Sequence, residues 1–253
     1  MSFELCHSFQ SIAINTFHVI NESRRMRFPI KEESFTDCNL FNLKLRHPDE
    51  IFIKAFSRIE EGRIGADWEW WLTDNRGRWV GYRVQAKTIA LDSDNFTHLH
   101  YQAARSIPQC EKLILQATTG SYRCIPLYCL YVTTTADMGI SVEDMFLHGC
   151  SILSAYRVRE LRATAANSLN GLWSDLKPWH RLVCFDNGGN IVDQLDQLTR
   201  SYFMPQREIG QRRLWTNEPP PYVRELQETG DIRSSQDDKP IDLAGVMLIR
   251  PRG

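Results

Sequence analysis

No apolar run in this chain is long enough to cross a membrane. The longest, Ile125-Pro126-Leu127-Tyr128-Cys129-Leu130-Tyr131-Val132, falls well short of the roughly 20 residues that a spanning helix needs. The first residues, Met1-Ser2-Phe3-Glu4-Leu5-Cys6-His7, show no basic stretch followed by an apolar one, so no secretory leader is expected. Charge of one sign is also missing. Lys plus Arg number 30 against 31 Asp plus Glu, a net charge of −1, which excludes a protein that coats nucleic acid by bulk electrostatics but leaves room for a local basic cleft. The seven cysteines are an odd set without a Cys-x-x-Cys pair, which argues against a disulfide framework and for reduced thiols in a cytoplasmic protein. Internal repeats and low-complexity blocks are lacking too.

What remains is an ordinary globular composition, 42% hydrophobic and 24% charged over 253 residues, with ample material for a core. Leu5, Phe9, Ile12, Ala13, Phe17 and Ile20 recur at three- and four-residue steps and predict an amphipathic helix over 3–22. A second helix is expected over 33–46, broken by Pro48 and Asp49. Strand signals follow at 51–56, 67–72 and 78–87, the last two joined by the turn Asp74-Asn75-Arg76-Gly77. Residues 97–118 read as helical, with Pro108 a possible break, and Cys124–Val132 as a buried strand. Beyond, helices are expected at 142–147, 157–170 and 193–203, with a β-like stretch between the first two. The segment 206–240, with Pro219-Pro220-Pro221 and many charges, reads as loop, and 241–249 as a possible last strand.

The hairpin permits a geometric step. If its turn centres near Arg76, residues whose numbers sum to 152 face one another, and Asp67 lies opposite Gln85. Side chains alternate along a strand, so Asp67, Glu69, Gln85 and Lys87 then point to one side of the sheet. A one-residue slip would send all of them to the other face. Carboxylate, amide carbonyl and lysine together suit phosphodiester hydrolysis. Hard oxygens hold Mg²⁺ or Mn²⁺, the metal polarises the phosphate and acidifies a water, and lysine orients that water or offsets transition-state charge.

On these residues the chain resembles the PD-(D/E)XK, or restriction-endonuclease-like, nuclease superfamily. The resemblance rests on Asp67 within Gly65-Ala66-Asp67-Trp68-Glu69-Trp70-Trp71 and on Gln85-Ala86-Lys87, the Gln-x-Lys form of the Mrr-like branch. The two blocks also look like a family of uncharacterised bacterial proteins that share them. The resemblance covers residues 33–132 and implies an α/β (α+β) fold with a core of helix, three strands, helix and strand, a mixed central sheet flanked by helices. It implies a Mg²⁺- or Mn²⁺-dependent nuclease acting on DNA, RNA remaining open. Asp67 and Gln85 would be metal ligands, and Lys87 would activate water. Glu33, on the first core helix, is the favoured further ligand, with Glu32, Asp37, Glu60 and Glu61 as rivals. A homodimer or larger homo-oligomer and a role in bacterial defence against foreign DNA are further implications. The expected organisation is a nuclease-like domain over 1–205, with 133–205 covering the core, and a Pro-rich tail over 206–253.

Plainer readings stand beside these. Asp67 and Lys87 could form a cross-strand ion pair on a solvated face. Glu69 is either a second ligand or an exposed charge. Trp68, Trp70, Trp71 and Trp79 read as core or interface aromatics rather than base-stacking platforms. Lys54, Arg58, Arg76, Arg78 and Arg83 could steer phosphate or simply form a charged surface. His98 and His100 lack partners at a zinc spacing. His180 and Cys184 could serve a thiol hydrolase, although no motif supplies the third group. Tyr101 and Gln102 could touch the site from the helix expected there. The chief alternative to a nuclease is a non-catalytic binding module on the same fold.

Overall fold

The fold is that of a computed structural model, described over residues 3–56, 67–119, 121–185, 189–210, 213–233 and 243–251. The helices are α1 (Phe3–Arg25), α2 (Glu32–Arg46), α3 (Gln109–Thr119), α4 (Val142–Leu147), α5 (Ala155–Leu161), α6 (Leu169–Leu172), α7 (Ile191–Tyr202), α8 (Gln206–Ile209) and α9 (Pro221–Thr229). The strands are β1 (Ile51–Ala55), β2 (Asp67–Thr73), β3 (Trp79–Thr88), β4 (Ile125–Tyr131), β5 (Cys150–Ser154), β6 (Lys177–Pro178) and β7 (Leu243–Ile249). The strands form one sheet in the order β1-β7-β2-β3-β4-β5-β6. β7 runs parallel to β2 and β3 parallel to β4, and the other neighbours are antiparallel. The protein is thus a mixed α/β fold, a mixed sheet flanked by helices. From α2 to β4 its elements follow the expected order of helix, three strands, helix and strand.

The hairpin register is the one the turn predicts, with Trp68 opposite Val84 and Glu69 opposite Arg83. Asp74 fixes it. Its Oδ1 accepts the backbone N–H of both Arg76 and Arg78, and Gly77 takes the left-handed φ of 72° that closes the turn. Trp71 faces Gly81 across the strands, and a Cβ at Gly81 would lie 2.7 Å from the indole. Only a glycine lets that ring lie flat on β3.

The sheet is covered on both faces. Trp68, Trp70 and Leu72 join Leu5, Phe9, Ile12 and Ile20 of α1 and Leu40 and Leu43 of α2 in one core. Trp71 and Trp79 join Tyr222, Val223 and Leu226 of α9 and Leu243, Val246 and Leu248 of β7 in another. The four tryptophans are therefore core residues. β4 is buried at every position, as its unbroken apolar run predicts.

The helix expected over 157–170 is broken, with α5 ending at Leu161 and α6 starting at Leu169, and three further expectations need correction. Residues 97–108 are not helical, and α3 begins only at Gln109. Pro108 disfavours helical backbone in the residue before it, and Arg105 turns at φ 60°. The expected loop over 206–240 contains α8 and α9. Pro221 of the proline run takes the first helical position of α9, where its missing N–H costs nothing, and Gly230 ends the helix in left-handed conformation. Finally, Cys6 and Cys184 form a disulfide. Separated by 178 residues, the pair has no local spacing to betray it. The other five cysteines are free. The last strand forms as β7 and lies inside the sheet, between β1 and β2. No helix among the described residues is long and apolar enough to cross a membrane.

Candidate active site

At one end of the sheet, the last turns of β3 meet the first turns of two helices. The start of α2 is pinned to β4. The Phe35 ring lies 5.4 Å from that of Tyr131, and the Thr36 hydroxyl is 2.8 Å from the Tyr131 hydroxyl. Tyr131 pairs with Thr88 at the end of β3, so the first residue of α2 falls beside the residue before Thr88. The result is an ion pair, with Lys87 Nζ donating to Glu32 Oε1 at 3.3 Å. Lys87 itself is buried, whereas the Glu32 side chain keeps 26% of its surface exposed. A carboxylate in the first turn of a helix is also favoured by the unpaired N–H groups there.

Gln85 stands two residues before Lys87 on the same side of β3. Its Oε1 accepts a hydrogen bond of 2.9 Å from Nε2 of Gln109, the first residue of α3. Gln109 keeps its own Oε1 buried without a hydrogen-bond partner. Gln109 was hidden in the expected 97–118 helix. The signal that could have found it is Pro108, which marks a helix start.

Deeper on the same side of the hairpin lies a second pair. Arg83 Nη1 approaches Glu69 Oε1 at 3.8 Å, and both residues are 3% exposed. Glu69 Oε2 accepts the Trp71 indole N–H at 3.0 Å and the Tyr222 hydroxyl at 2.7 Å. Burial, and then the adjacent Glu69 charge, push the Tyr222 phenol and the Cys124 thiol well above their ordinary values, so both stay protonated. Glu69 is therefore neither an exposed charge nor an open ligand. It is a structural carboxylate whose oxygens are occupied.

The remaining sequence candidates sort as follows. Asp67 opens β2, one residue before the pairing with β3 begins at Trp68 and Val84. A bulge against β7 falls between Asp67 and Trp68. Glu33 and Asp37 are exposed, and Glu32 rather than Glu33 reaches Lys87. Glu60, Glu61 and Arg58 lie outside the described residues. His98 is exposed, and His100 bonds the Ala166 carbonyl at 2.8 Å. Cys184 is tied to Cys6, so the thiol-hydrolase reading has no free nucleophile. Tyr101 and Gln102 sit in a loop, not a helix, and Gln102 bonds Ser106 and Arg162. Of the basic cluster, Arg76 is exposed at the turn, and three members are paired. Lys54 pairs with Asp231 at 2.7 Å, Arg78 with Asp74 and Asp193 at 2.8 and 2.6 Å, and Arg83 with Glu69.

The model of a family of unknown function, DUF6615, matches residues 5–252. The chain belongs to the DUF6615 family. The DUF6615 span runs from α1 through β7, so both ion pairs and the interior last strand fall within it. No curated protein and no solved structure matches significantly.

In this DUF6615 chain the oxygen atoms at the strand end are of the hard type that Mg²⁺ or Mn²⁺ prefers: the Glu32 carboxylate and the carbonyls of Gln85 and Gln109. The unpartnered Gln109 oxygen is the observation that fits a cation there. The set is rich in carbonyls and poor in charge. Among the described residues no three His, Cys, Asp or Glu side chains come together as a metal cluster.

Proposed function

We propose that this protein is a metal-dependent nuclease with a restriction-endonuclease-like core, hydrolysing phosphodiester bonds in DNA. The observation that carries the reading is that Gln85 and Lys87 lie on one side of β3 at its end, with Lys87 paired to Glu32 and Asp67 one residue before the Trp68–Val84 pair of the hairpin. Asp67, Gln85 and a helix-α2 carboxylate would hold Mg²⁺ or Mn²⁺, which supplies Lewis acidity to a phosphoryl oxygen and a more acidic water. On this reading the α2 carboxylate is Glu32, in place of the Glu33 that the sequence favoured. Lys87 would orient the attacking water or meet the charge of the pentavalent state, with Glu32 holding the ammonium in place.

A second reading has one observation in its favour. Gln85 is bonded to Gln109 and Lys87 to Glu32, so the polar groups can satisfy one another without a cation. A binding module that has lost catalysis would look the same.

Incubating the protein with plasmid, linear and single-stranded DNA and with RNA, in Mg²⁺ or Mn²⁺, separates the two. The nuclease reading expects metal-dependent cleavage that disappears in Asp67→Ala and Lys87→Ala. Absence of cleavage, together with calorimetric Mn²⁺ binding that is nil or indifferent to Asp67→Ala, assigns the binding module. Cleavage of RNA alone changes the substrate and keeps the chemistry.

A further inference from the structure

At the other end of β3 and β4 the chain encloses a cavity of about 460 Å³. Its floor includes Trp79, the first residue of β3, which stands six residues before Gln85 and so roughly 20 Å from the candidate active site. The volume falls within the roughly 300–1,000 Å³ range of small-molecule sites.

The walls have a definite chemistry. Arg123 and Arg213 are exposed guanidinium groups, and neither has a carboxylate partner among the described residues. The wall's one carboxylate among the described residues, Glu208, is already approached by Arg159 at 3.8 Å and Arg207 at 3.9 Å. Positive charge is therefore in excess, which suits an anion. Arg78 and Arg157 show the contrast, each held against carboxylates at 2.6–2.8 Å, whereas Arg123 and Arg213 meet none among the described residues.

Aromatic surface lies beside that charge. Trp215 is half-buried, and the guanidinium groups of Arg213 and Arg78 lie 4.9 and 5.3 Å from its ring. The segment carrying Trp215 is fixed to the sheet, because Thr216 exchanges two backbone hydrogen bonds with Trp79, at 2.8 and 2.9 Å. Tyr122 adds a second, partly exposed ring. A ring next to an arginine on a rigid base recognises a flat, electron-rich group, and the guanidinium forks recognise phosphate bidentately.

We propose that this cavity binds a nucleotide, with its base against Trp215 and Tyr122 and its phosphate on Arg123 and Arg213. The inference uses none of the residues at the far end of β3 and does not depend on the nuclease reading.

Calorimetry and tryptophan fluorescence with AMP, GMP, CMP and UMP test it, with adenosine and inorganic phosphate as the two half-ligands. At least one nucleotide should bind with Kd below about 1 mM and quench tryptophan emission. Each half-ligand should bind at least about tenfold more weakly, and Arg123→Ala and Arg213→Ala should each cost about tenfold or more. Both arginines are exposed, so the variants should melt with the wild type, and circular dichroism checks this. Absence of binding by all four nucleotides at about 1 mM overturns the proposal, as does binding that survives both substitutions. Phosphate binding as tightly as a nucleotide would make it an anion site only. A short single-stranded oligonucleotide binding more than about tenfold tighter, through the same arginines, would make it a strand track instead of a nucleotide site.

Discussion

Arg83 and Lys87 stand on the same side of β3, and each meets a glutamate, yet the two pairs differ in almost every other respect. Arg83 and Glu69 are sealed under α9, and Trp71 and Tyr222 complete the hydrogen bonding of the carboxylate. Lys87 meets Glu32 at the strand end, where the carboxylate is a quarter exposed and has no such companions. Depth along one strand separates a pair that holds structure from a pair free to change partner. A buried pair must be complete, because removing one member strands the other in low dielectric. A pair at the rim can give up its partner to water, a cation or a phosphate.

The largest expected effect is at the rim and on activity. On the proposed nuclease reading, Lys87→Ala should lower the cleavage rate by about a hundredfold to ten-thousandfold, the usual contribution of a positioned proton-transfer or charge-stabilising group. Its urea midpoint should stay near that of the wild type. Glu32→Gln should lower the rate more weakly and cost some stability as well, because it leaves the buried Lys87 ammonium without that carboxylate. A midpoint that falls as far as in the buried pair would abolish the distinction drawn between them.

Next comes the buried pair, and here the effect is on stability. Glu69→Ala removes one carboxylate from the buried Arg83 and the acceptor of the Tyr222 hydroxyl and the Trp71 indole N–H. Losses of about 3–5 kcal/mol are usual when one member of such a pair is removed. Urea unfolding measures this directly, and Glu69→Gln, which keeps an acceptor for Tyr222 and Trp71, should recover part of it.

His148 and His180 supply the opposite case, buried bases with no complete counter-charge. Burial lowers both to about 4, helped by Arg181 for each and by Lys177 and His180 for His148, while Asp144 opposes the change at His148. Both folded values lie below the unfolded value of about 6.5, so the unfolded chain takes up these protons first. The native state is thus undiminished above pH ~6.5 and loses stability as pH falls toward ~4, by roughly 3 kcal/mol per histidine at the limit. Unfolding free energies at neutral and acid pH should show the fall, and His148→Gln with His180→Gln should flatten it. An unchanged slope in the double variant would assign the acid sensitivity to carboxylates instead.

The sequence made the strand-end geometry legible because turn chemistry fixes register, and register fixes faces. Asp74 and Gly77 centre the hairpin, and the pairing of 68 with 84 follows. Alternation then puts Gln85 and Lys87 on one side. Long-range partners left no such trace. Nothing near Glu69 announces Tyr222, 153 residues away, and nothing near Cys6 announces Cys184. The place of β7 inside the sheet is equally silent, since an apolar strand reads the same at an edge as at the centre.

The choice between Glu32 and Glu33 is legible in the helical phase of the sequence. One residue along a helix is a rotation of about 100°, so Glu32 and Glu33 present different sides of α2. The buried residues of α2 are Phe35, Thr36, Asn39, Leu40 and Leu43, and steps of three and four back from Phe35 and Thr36 lead to residue 32. Glu32 continues that stripe, whereas Glu33 is exposed. Glu33→Ala should therefore change stability by less than about 0.5 kcal/mol, as exposed substitutions do, and leave Mn²⁺ affinity and cleavage at wild-type levels. Measured beside Glu32→Ala, it tests the phase of the helix. If Glu33→Ala were the variant that lost Mn²⁺ binding, α2 would have to turn by that rotation on the sheet, and the contact between Glu32 and Lys87 would not belong to the working site.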